Sequence, residues 1–328
     1  MMQIGTIAAS KGEKAYGHFK TGETVGRFSV HIPLHLIEGA ADGPTLVVQA
    51  GVSGLEIEPA LILPQLVKEL DPASMAGTLV VVPLLNTSGF EFEQEHSAWD
   101  GKHLNTLGRG RAEGTVSEQM IYQYYQSVIA RADALLEIRT GAQWSYHRYA
   151  GVYQVGAVEK SKALAVALGL PQVVLGQPAD QSMAYEAAQD GKAVVTAYIG
   201  GGPGLRDYRQ EDLGRVRNAV LNTMRHLKML DGSPVHESDR VAVIEAHTFL
   251  RLGEERGFVF MDSSKRGRFV KAGEQLGHVR HPFSGETVAL ITAPRDGVVV
   301  HAGLSWPVPL EGLLLAMLGD LRQEVQVS

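Results

Sequence analysis

The feature that most constrains the fold is an apolar run followed by a glycine loop, a helix and a second apolar run. TLVVQAGVSG, at positions 45–54, is typical of a buried strand that leads into a glycine turn. EPALILPQLVKEL, at 58–70, has apolar residues at helical spacing, and Pro59 suits a first helical turn. GTLVVVPLLN, at 77–86, has the length and β-branched content of another buried strand. Together the three segments predict a β-α-β unit.

The same alternation continues to about residue 234 and then changes. SEQMIYQYYQSVIARAD (117–133) predicts an amphipathic helix with Ser117 as its N-cap, and ALLEIRTG (134–141) predicts a strand. We therefore predict the α/β class, with a mixed, largely parallel sheet flanked by helices in residues 1–234. After Gly232-Ser233-Pro234, short strands between glycine turns predict a small all-β sandwich over residues 235–328. We expect the two domains to carry separate sheets.

Length and composition exclude several classes of protein. A chain of 328 residues is longer than one core usually supports, which favours two domains. The net charge of −6 gives no basic footprint for nucleic acid, and no apolar stretch is long enough to span a membrane. The first residues lack the apolar core of a secretion signal, so we expect a cytoplasmic protein. Because the chain has no cysteine, only His, Asp and Glu remain as strong metal ligands.

Four further segments carry motifs in a fixed order. They are GVSGLEIE (51–58), WDGKHLNTLGRG (99–110), LLEIRTG (135–141) and VTAYIGGG (195–202). In this order they resemble the signature of the zinc-dependent succinylglutamate desuccinylase/aspartoacylase family: the G-x-H-G-x-E loop, the substrate-gripping D-G-x-x-L-N-R segment, the strand ending D-L-H-T-G, and the strand ending T-x-E-L-G-G. The resemblance implies a zinc carboxypeptidase-like fold and an amidohydrolase ancestry.

The departures from this signature concern the residues that carry the family's chemistry. Ser53 stands at the first zinc-ligand position, and Arg139, which has no lone pair for a metal, stands at the third. Glu56 alone matches a ligand. Thr106 replaces the substrate-gripping arginine, and Tyr198 replaces the general-base glutamate. We therefore predict no bound cofactor, with zinc as the alternative, and an ion pair between Glu56 and Arg139 in the metal's place.

The resemblance also implies where the pocket lies, although it assigns no residue a confident catalytic role. We expect the pocket to contain Ser53, Glu56, Asn105, Thr106, Arg109, Arg139 and Tyr198. Arg109 and Arg111 either replace the arginine lost at Thr106 or are solvated loop charges.

A substitute metal site is a separate alternative. His96 and His103 share the loop 91–103 with Glu93, Glu95 and Asp100, and such a cluster either recruits a metal or has no metal role.

The C-terminal domain resembles a biotinyl/lipoyl-type sandwich, with V-K-x-G-x-x-L-G at 270–277 and A-P-R-D-G at 293–297. A carrier domain needs a lysine in the hairpin between these halves. That hairpin reads HPFSGE (281–286) and has none. We therefore expect a structural or assembly role for this domain and no swinging cofactor.

Two hypotheses about function follow. The first is a divergent, zinc-free family member that binds a small N-acyl amino acid, amino acid or related carboxylate. The second is an active amidohydrolase, a deacylase of N-acyl amino acids, with a rearranged metal site or a zinc-free mechanism. Whether the chain is an enzyme, and whether it forms a homo-oligomer, stays open at this point.

Overall fold

A computed structural model describes residues 2–141, 145–178, 181–201, 209–253, 256–303, 306–308 and 314–327. The first two thirds of the chain alternate strands and helices as the sequence predicts. In chain order these elements are β1 (Met2–Ile4), β2 (Ile7–Ala9), β3 (Glu13–Glu23), β4 (Ser29–Glu38), β5 (Ala41–Ala50), α1 (Glu58–Glu69), β6 (Ala76–Val82), α2 (Thr87–Glu91), α3 (Val116–Ser127), β7 (Ala134–Arg139), β8 (His147–Val152), α4 (Val158–Ala167), β9 (Gln172–Leu175), α5 (Met183–Gln189), β10 (Ala193–Gly200) and α6 (Gln210–His226).

The remaining part is all-β in the described residues. Its strands are β11 (Arg240–Arg251), β12 (Gly257–Met261), β13 (Phe269–Val270), β14 (Gln275–Arg280), β15 (Thr287–Thr292), β16 (Gly297–Ala302), β17 (Trp306–Val308) and β18 (Leu314–Gln326). No helix among the described residues has both the length and the apolar character that crossing a membrane requires.

The predicted β-α-β unit is confirmed. β5 pairs in parallel with β6 on one side and with β7 on the other, and β7 pairs in parallel with β10. These strands are buried on both faces, which is why they are apolar almost throughout. Helix α1 begins at Glu58 and has Pro59 in its first turn, where a missing N–H costs nothing.

Helices cover both faces of this part of the sheet. On one face, α1, α4 and α6 pack on the strands through Leu63, Leu164 and Val216. On the other face, α3 and α5 pack with the β1–β2 hairpin through residues such as Tyr124 and Met183. The mixed sheet flanked by helices is therefore as predicted.

The expectation of separate sheets for the two domains is wrong. One twelve-stranded sheet runs in the order β13-β16-β18-β11-β9-β8-β10-β7-β5-β6-β4-β3. The connection is β11, which pairs in parallel with β9 over Ala242 to Glu245. Its N–H and C=O groups complete a ladder with β9 that would otherwise have a free edge. The division at residue 234 thus stays a prediction about domains, and does not mark the end of a sheet.

The C-terminal part is nevertheless a two-layered sandwich. The end of the large sheet forms one layer, and a four-stranded sheet in the order β15-β14-β12-β17 forms the other. A separate apolar core fills the space between them, with Val259, Leu276, Val299 and Leu318 among its members. This arrangement brings β16 and its neighbours close to the edge at which β7 and β10 end.

Candidate functional site

Three parallel strands bring the predicted pocket residues to one edge of the sheet. β5 ends at Ala50 and leads into the loop that carries Ser53 and Glu56. β7 ends at Arg139, and in the next strand, β10, Tyr198 lies directly opposite Arg139 in register. Ligand sites in α/β sheets lie beyond the carboxyl ends of strands, and these residues occupy that position.

Glycines allow the loop after β5 to pack closely. Gly51 has a φ of +65°, and a Cβ there would lie 2.7 Å from Cδ1 of Leu84. At Gly54 a Cβ would lie 2.1 Å from the carbonyl carbon of Gly89. A larger residue at either position would push the loop away from its neighbours. The close approach leaves both Ser53 and Glu56 buried, each 3% exposed.

Glu56 and Arg139 form the ion pair that the sequence predicts. The Arg139 Nε lies 2.9 Å from each carboxylate oxygen of Glu56. Backbone N–H groups of Thr140 and Ser53 also donate to this carboxylate, at 3.3 and 3.4 Å. Such charge-assisted hydrogen bonds are the strong ones in proteins, and here both partners are removed from water.

A second carboxylate, which the sequence analysis missed, shares the same guanidinium. Glu137 Oε1 lies 3.6 Å from Nη1 of Arg139, and Glu137 is 1% exposed. Its other oxygen accepts from Nε2 of Gln49 at 2.5 Å, and the Gln49 Oε1 accepts from the Tyr124 hydroxyl at 2.9 Å. Burial alone would lower the pKa of Arg139, but Glu56 and Glu137 outweigh it and raise the pKa. The guanidinium is therefore permanently charged and bound by two carboxylates.

The residues at the ligand positions do not fit zinc. A catalytic zinc site needs three protein ligands and an open position for water. Ser53 offers a hydroxyl that accepts from the Leu55 N–H at 3.2 Å, Glu56 is engaged by a cation, and Arg139 is that cation. In the part of the chain that the structure describes, no three His, Asp or Glu side chains lie in an arrangement that could hold a metal ion.

Tyr198 lies in an aromatic cluster next to Arg139. Its ring stacks on Tyr149 with centroids 4.7 Å apart, and the His147 ring lies edge-on to it at 5.6 Å. His147 in turn lies 4.6 Å from His301 of β16. Burial lowers the pKa of His301 to about 4, and it also lowers the pKa of His147. Both imidazoles are therefore neutral at neutral pH, and the cluster joins β10 to the C-terminal part.

The loop 91–103 brings its residues together without forming a metal site. His103 Nδ1 accepts from the Asn105 N–H at 3.2 Å, and its Nε2 lies 3.1 Å from Oε1 of Glu95. Both ring nitrogens are thus used. The hydrogen bond to His103 lowers the pKa of Glu95, and Arg139 adds a smaller effect in the same direction. The backbone carbonyl of Glu95 accepts from the Gly54 N–H at 3.4 Å, so the loop contacts the segment that carries Ser53 and Glu56. Asp100 is occupied at the start of α3, where it accepts from Ser117.

Asn105 lies in the short turn Leu104–Thr106 that follows this loop, and it has a buried Oδ1 without a hydrogen-bond partner among the described residues. Thr106 next to it is exposed and donates to the His103 carbonyl at 2.9 Å. Asn105 therefore has a free acceptor, whereas the Thr106 hydroxyl is turned to its own loop.

The structure does not bring Arg109 to the other predicted pocket residues. Its guanidinium pairs with Glu186 at 2.8 Å and with Asp190 at 2.7 Å. Asp190 lies just before β10 begins, at the opposite end of that strand from Tyr198. Arg111 pairs with Glu118 and is mostly exposed. Of the two readings of these arginines, the structure favours paired loop charges.

Glu58 is a second carboxyl group that sequence reasoning missed. It begins α1, is 8% exposed, and its Oε2 has no hydrogen-bond partner among the described residues. Burial raises its pKa, and the negative charges of Glu56 and Asp212 add to this effect. A buried acid two residues after the surviving ligand, on the first turn of a helix, is the signal that could have identified it.

The fold is that of a carboxypeptidase-like α/β protein, with a buried Glu56–Arg139 salt bridge beyond the carboxyl ends of its parallel strands. The model of the Succinylglutamate desuccinylase/Aspartoacylase catalytic domain matches residues 42–227. The chain therefore belongs to the succinylglutamate desuccinylase/aspartoacylase family.

Individual relatives agree with this assignment. N-alpha-acetyl-L-2,4-diaminobutyric acid deacetylase of Halomonas elongata is 23% identical over 210 residues, which span 62% of this chain and 60% of that protein. The product-bound ectoine utilization protein EutE (DoeB) of Ruegeria pomeroyi superposes with a TM-score of 0.84 at 21% identity, over 96% of this chain and 98% of the other. A succinylglutamate desuccinylase/aspartoacylase of Rhodobacter sphaeroides gives 0.84 at 17% identity, over 98% and 100%. At these identities the structural likeness shows the fold.

Proposed function

We propose that this chain is a divergent family member that binds a small amino acid or N-acyl amino acid at the Glu56–Arg139 site without zinc and without hydrolysing it. The observation that carries the proposal is the position of the Arg139 Nε, 2.9 Å from both oxygens of Glu56. The guanidinium is hydrogen-bonded to both oxygens of Glu56, the one remaining carboxylate that a metal would need.

Zinc binding would have to break this ion pair. Glu56 is the only family ligand that remains, and one carboxylate cannot replace the three protein ligands of a catalytic zinc. A divalent cation would also be repelled by Arg139, whose side chain is only 12% exposed. The salt bridge thus supplies the charge balance that the metal supplies in the family.

Hydrolysis also lacks its proton carrier. General acid-base catalysis typically contributes about 10²–10⁴-fold, and the glutamate that provides it in the family is Tyr198 here. The Tyr198 ring is stacked on Tyr149, and its hydroxyl lies 3.5 Å from Oε1 of Gln177. A phenol held in this way is a poor substitute for a carboxylate base.

The charges at the site favour a ligand that carries an ammonium group. Glu56 and Glu137 together place two negative charges against the single positive charge of Arg139. Asn105, which the family register assigns to the same pocket, would add a buried acceptor with no partner among the described residues. An ammonium donates three hydrogen bonds and brings a positive charge, so it would satisfy both needs. The H. elongata relative is named for a substrate of this kind, a diaminobutyric acid derivative.

The test compares two ligands that differ only in the ammonium group. N-alpha-acetyl-2,4-diaminobutyrate and N-acetyl-2-aminobutyrate are titrated into the protein, with thermal or chemical unfolding as a second readout. We expect the first to bind more tightly, and at 100 times its Kd it should stabilise the fold by about 2.7 kcal/mol. We also expect no release of acetate over hours. Equal affinity for the two ligands would contradict the charge argument.

The second candidate is an active deacylase with a rearranged site. Glu58 favours it, because a buried carboxyl group with a raised pKa and an unpartnered oxygen is suited to proton transfer. The deacetylase name of the H. elongata relative points the same way. Acetate release from either ligand that is lost in Glu58→Gln would support this candidate against the first. Inhibition of that release by a chelator would add a recruited metal.

A further inference from the structure

A cavity separate from the Glu56–Arg139 site lies where the C-terminal part meets the end of the large sheet. Its volume is about 460 Å³, which is in the range of small-molecule sites. Tyr146 and Arg148, at the start of β8, form one wall, and Gln172 of β9 lies beside them. Arg266 and Val300 of the C-terminal part close the other side. None of the predicted pocket residues lines it.

Arg266 is held in place but has no carboxylate partner among the described residues. Its Nε and Nη2 both donate to the carbonyl oxygen of Ala302, at 3.1 and 3.0 Å. Its guanidinium also lies 5.4 Å from the ring centroid of Tyr146. Since a guanidinium has five N–H donors, these contacts fix its plane and leave donors on Nη1 for a ligand.

The neighbouring arginines are all paired. Arg148 and Arg215 both bind Glu237. Arg215 also binds Asp212 at 2.7 Å, and Arg209 lies 3.7 Å from the same carboxylate. Of the cations around Tyr146, Arg266 is thus the one whose charge no described side chain balances.

The surroundings make this charge costly. Burial lowers the pKa of Arg266, and the positive charge of Arg209 lowers it further. Arg209 lies on the Tyr146 ring, with a distance of 4.9 Å to the centroid. An anion bound against Arg266 would offset both effects, because it supplies the missing charge where water is partly excluded.

We propose that this cavity binds a small organic carboxylate whose anionic group pairs with Arg266. A planar guanidinium fork matches a carboxylate, and Arg148, whose charge is balanced by Glu237, lies in the opposite wall. Pro171, Ala242 and Val300 provide an apolar surface for a short aliphatic chain. The ligand proposed here carries a carboxylate as its only charged group, whereas the ligand proposed for the Glu56–Arg139 site also carries an ammonium group that faces the carboxylates there.

The test uses butyrate, acetate, neutral butyramide and inorganic phosphate in ligand-observed NMR titrations of the full chain at low chloride. We expect butyrate to bind more tightly than acetate, by up to about fourfold for each methylene that is buried. Butyramide should bind at least about tenfold more weakly than butyrate, because it lacks the charge. Tighter binding of phosphate than of butyrate would overturn the assignment to a carboxylate.

Two variants locate the site. Arg266→Gln should weaken butyrate by about tenfold or more, whereas Arg268→Gln, an exposed arginine that changes the net charge equally, should not. Ala242→Leu fills part of the cavity without touching the charge and should likewise weaken butyrate binding. Asn105→Ala, in the other site, should leave butyrate affinity unchanged. Butyrate affinity that survives both Arg266→Gln and Ala242→Leu would refute the proposal.

Discussion

Replacing Arg139 with methionine keeps much of the side-chain volume and removes the charge that balances two buried carboxylates. Glu56 would retain only long hydrogen bonds from backbone N–H groups, at 3.3 and 3.4 Å, and Glu137 would retain that from Gln49. Removing one partner of a buried ion pair typically costs about 3–5 kcal/mol. Because Glu56 and Glu137 are 3% and 1% exposed, we expect a loss of unfolding free energy in that range.

Urea unfolding of four proteins measures this loss. They are the wild type, Arg139→Met, Glu56→Gln and the double variant, and the cycle gives the coupling energy between the two side chains. We expect a coupling of at least about 1.5 kcal/mol, with the double variant more stable than the sum of the single losses indicates. Arg109→Met is the matched control, since Arg109 is 44% exposed and its pairs should contribute at most about 1 kcal/mol. A loss at Arg139 no larger than that at Arg109 would refute the reasoning.

Three further predictions concern stability. The unfolded chain protonates His301 near pH 6.5 and the folded one only near 4. The unfolding free energy should therefore fall as the pH is lowered from 6.5 to 4, by up to about 1.4 kcal/mol per pH unit, and His301→Leu should flatten that slope in urea melts. Tyr124→Phe leaves the buried Gln49 Oε1 without its donor and should cost about 1–3 kcal/mol by the same assay, with no change in the urea m-value. Glu118 completes the capping box of α3 and its pKa is lowered to about 2, so Glu118→Gln should cost about 1 kcal/mol at pH 7, a difference that should shrink as the pH falls from 4.5 towards 2.

The pattern of apolar residues was sufficient to predict the elements whose sequence signal lies within one segment. The strand, glycine loop and helix over residues 45–70 follow from apolar spacing and from the proline at the start of α1. The Glu56–Arg139 contact was predicted from the family resemblance. It places Glu56 in the loop after β5 and Arg139 at the end of the neighbouring strand β7. The prediction of Ser117 as the N-cap was wrong, because Thr115 forms a capping box with Glu118 and Ser117 binds Asp100 instead.

Contacts between distant segments could not be predicted in this way. Nothing in residues 240–251 indicates that they pair with β9, because a strand's own sequence does not specify its neighbour in the sheet. The bond between Gln49 and Glu137 joins residues 88 positions apart. Its only sequence signal is a polar residue inside each of two apolar runs, which a buried hydrogen-bonded pair explains.

The central claim is that a salt bridge has taken the place of the zinc, and calorimetric titration of zinc into the purified protein tests it directly. The titration is made on the wild type, on Ser53→His, on Arg139→His and on the double variant. The double variant restores both of the family's histidine ligands beside Glu56. The account predicts no zinc binding by the wild type, little by either single variant, and binding by the double variant, since it alone has three ligands and no cation in the site. Micromolar or tighter binding by the wild type, or none by the double variant, would contradict it.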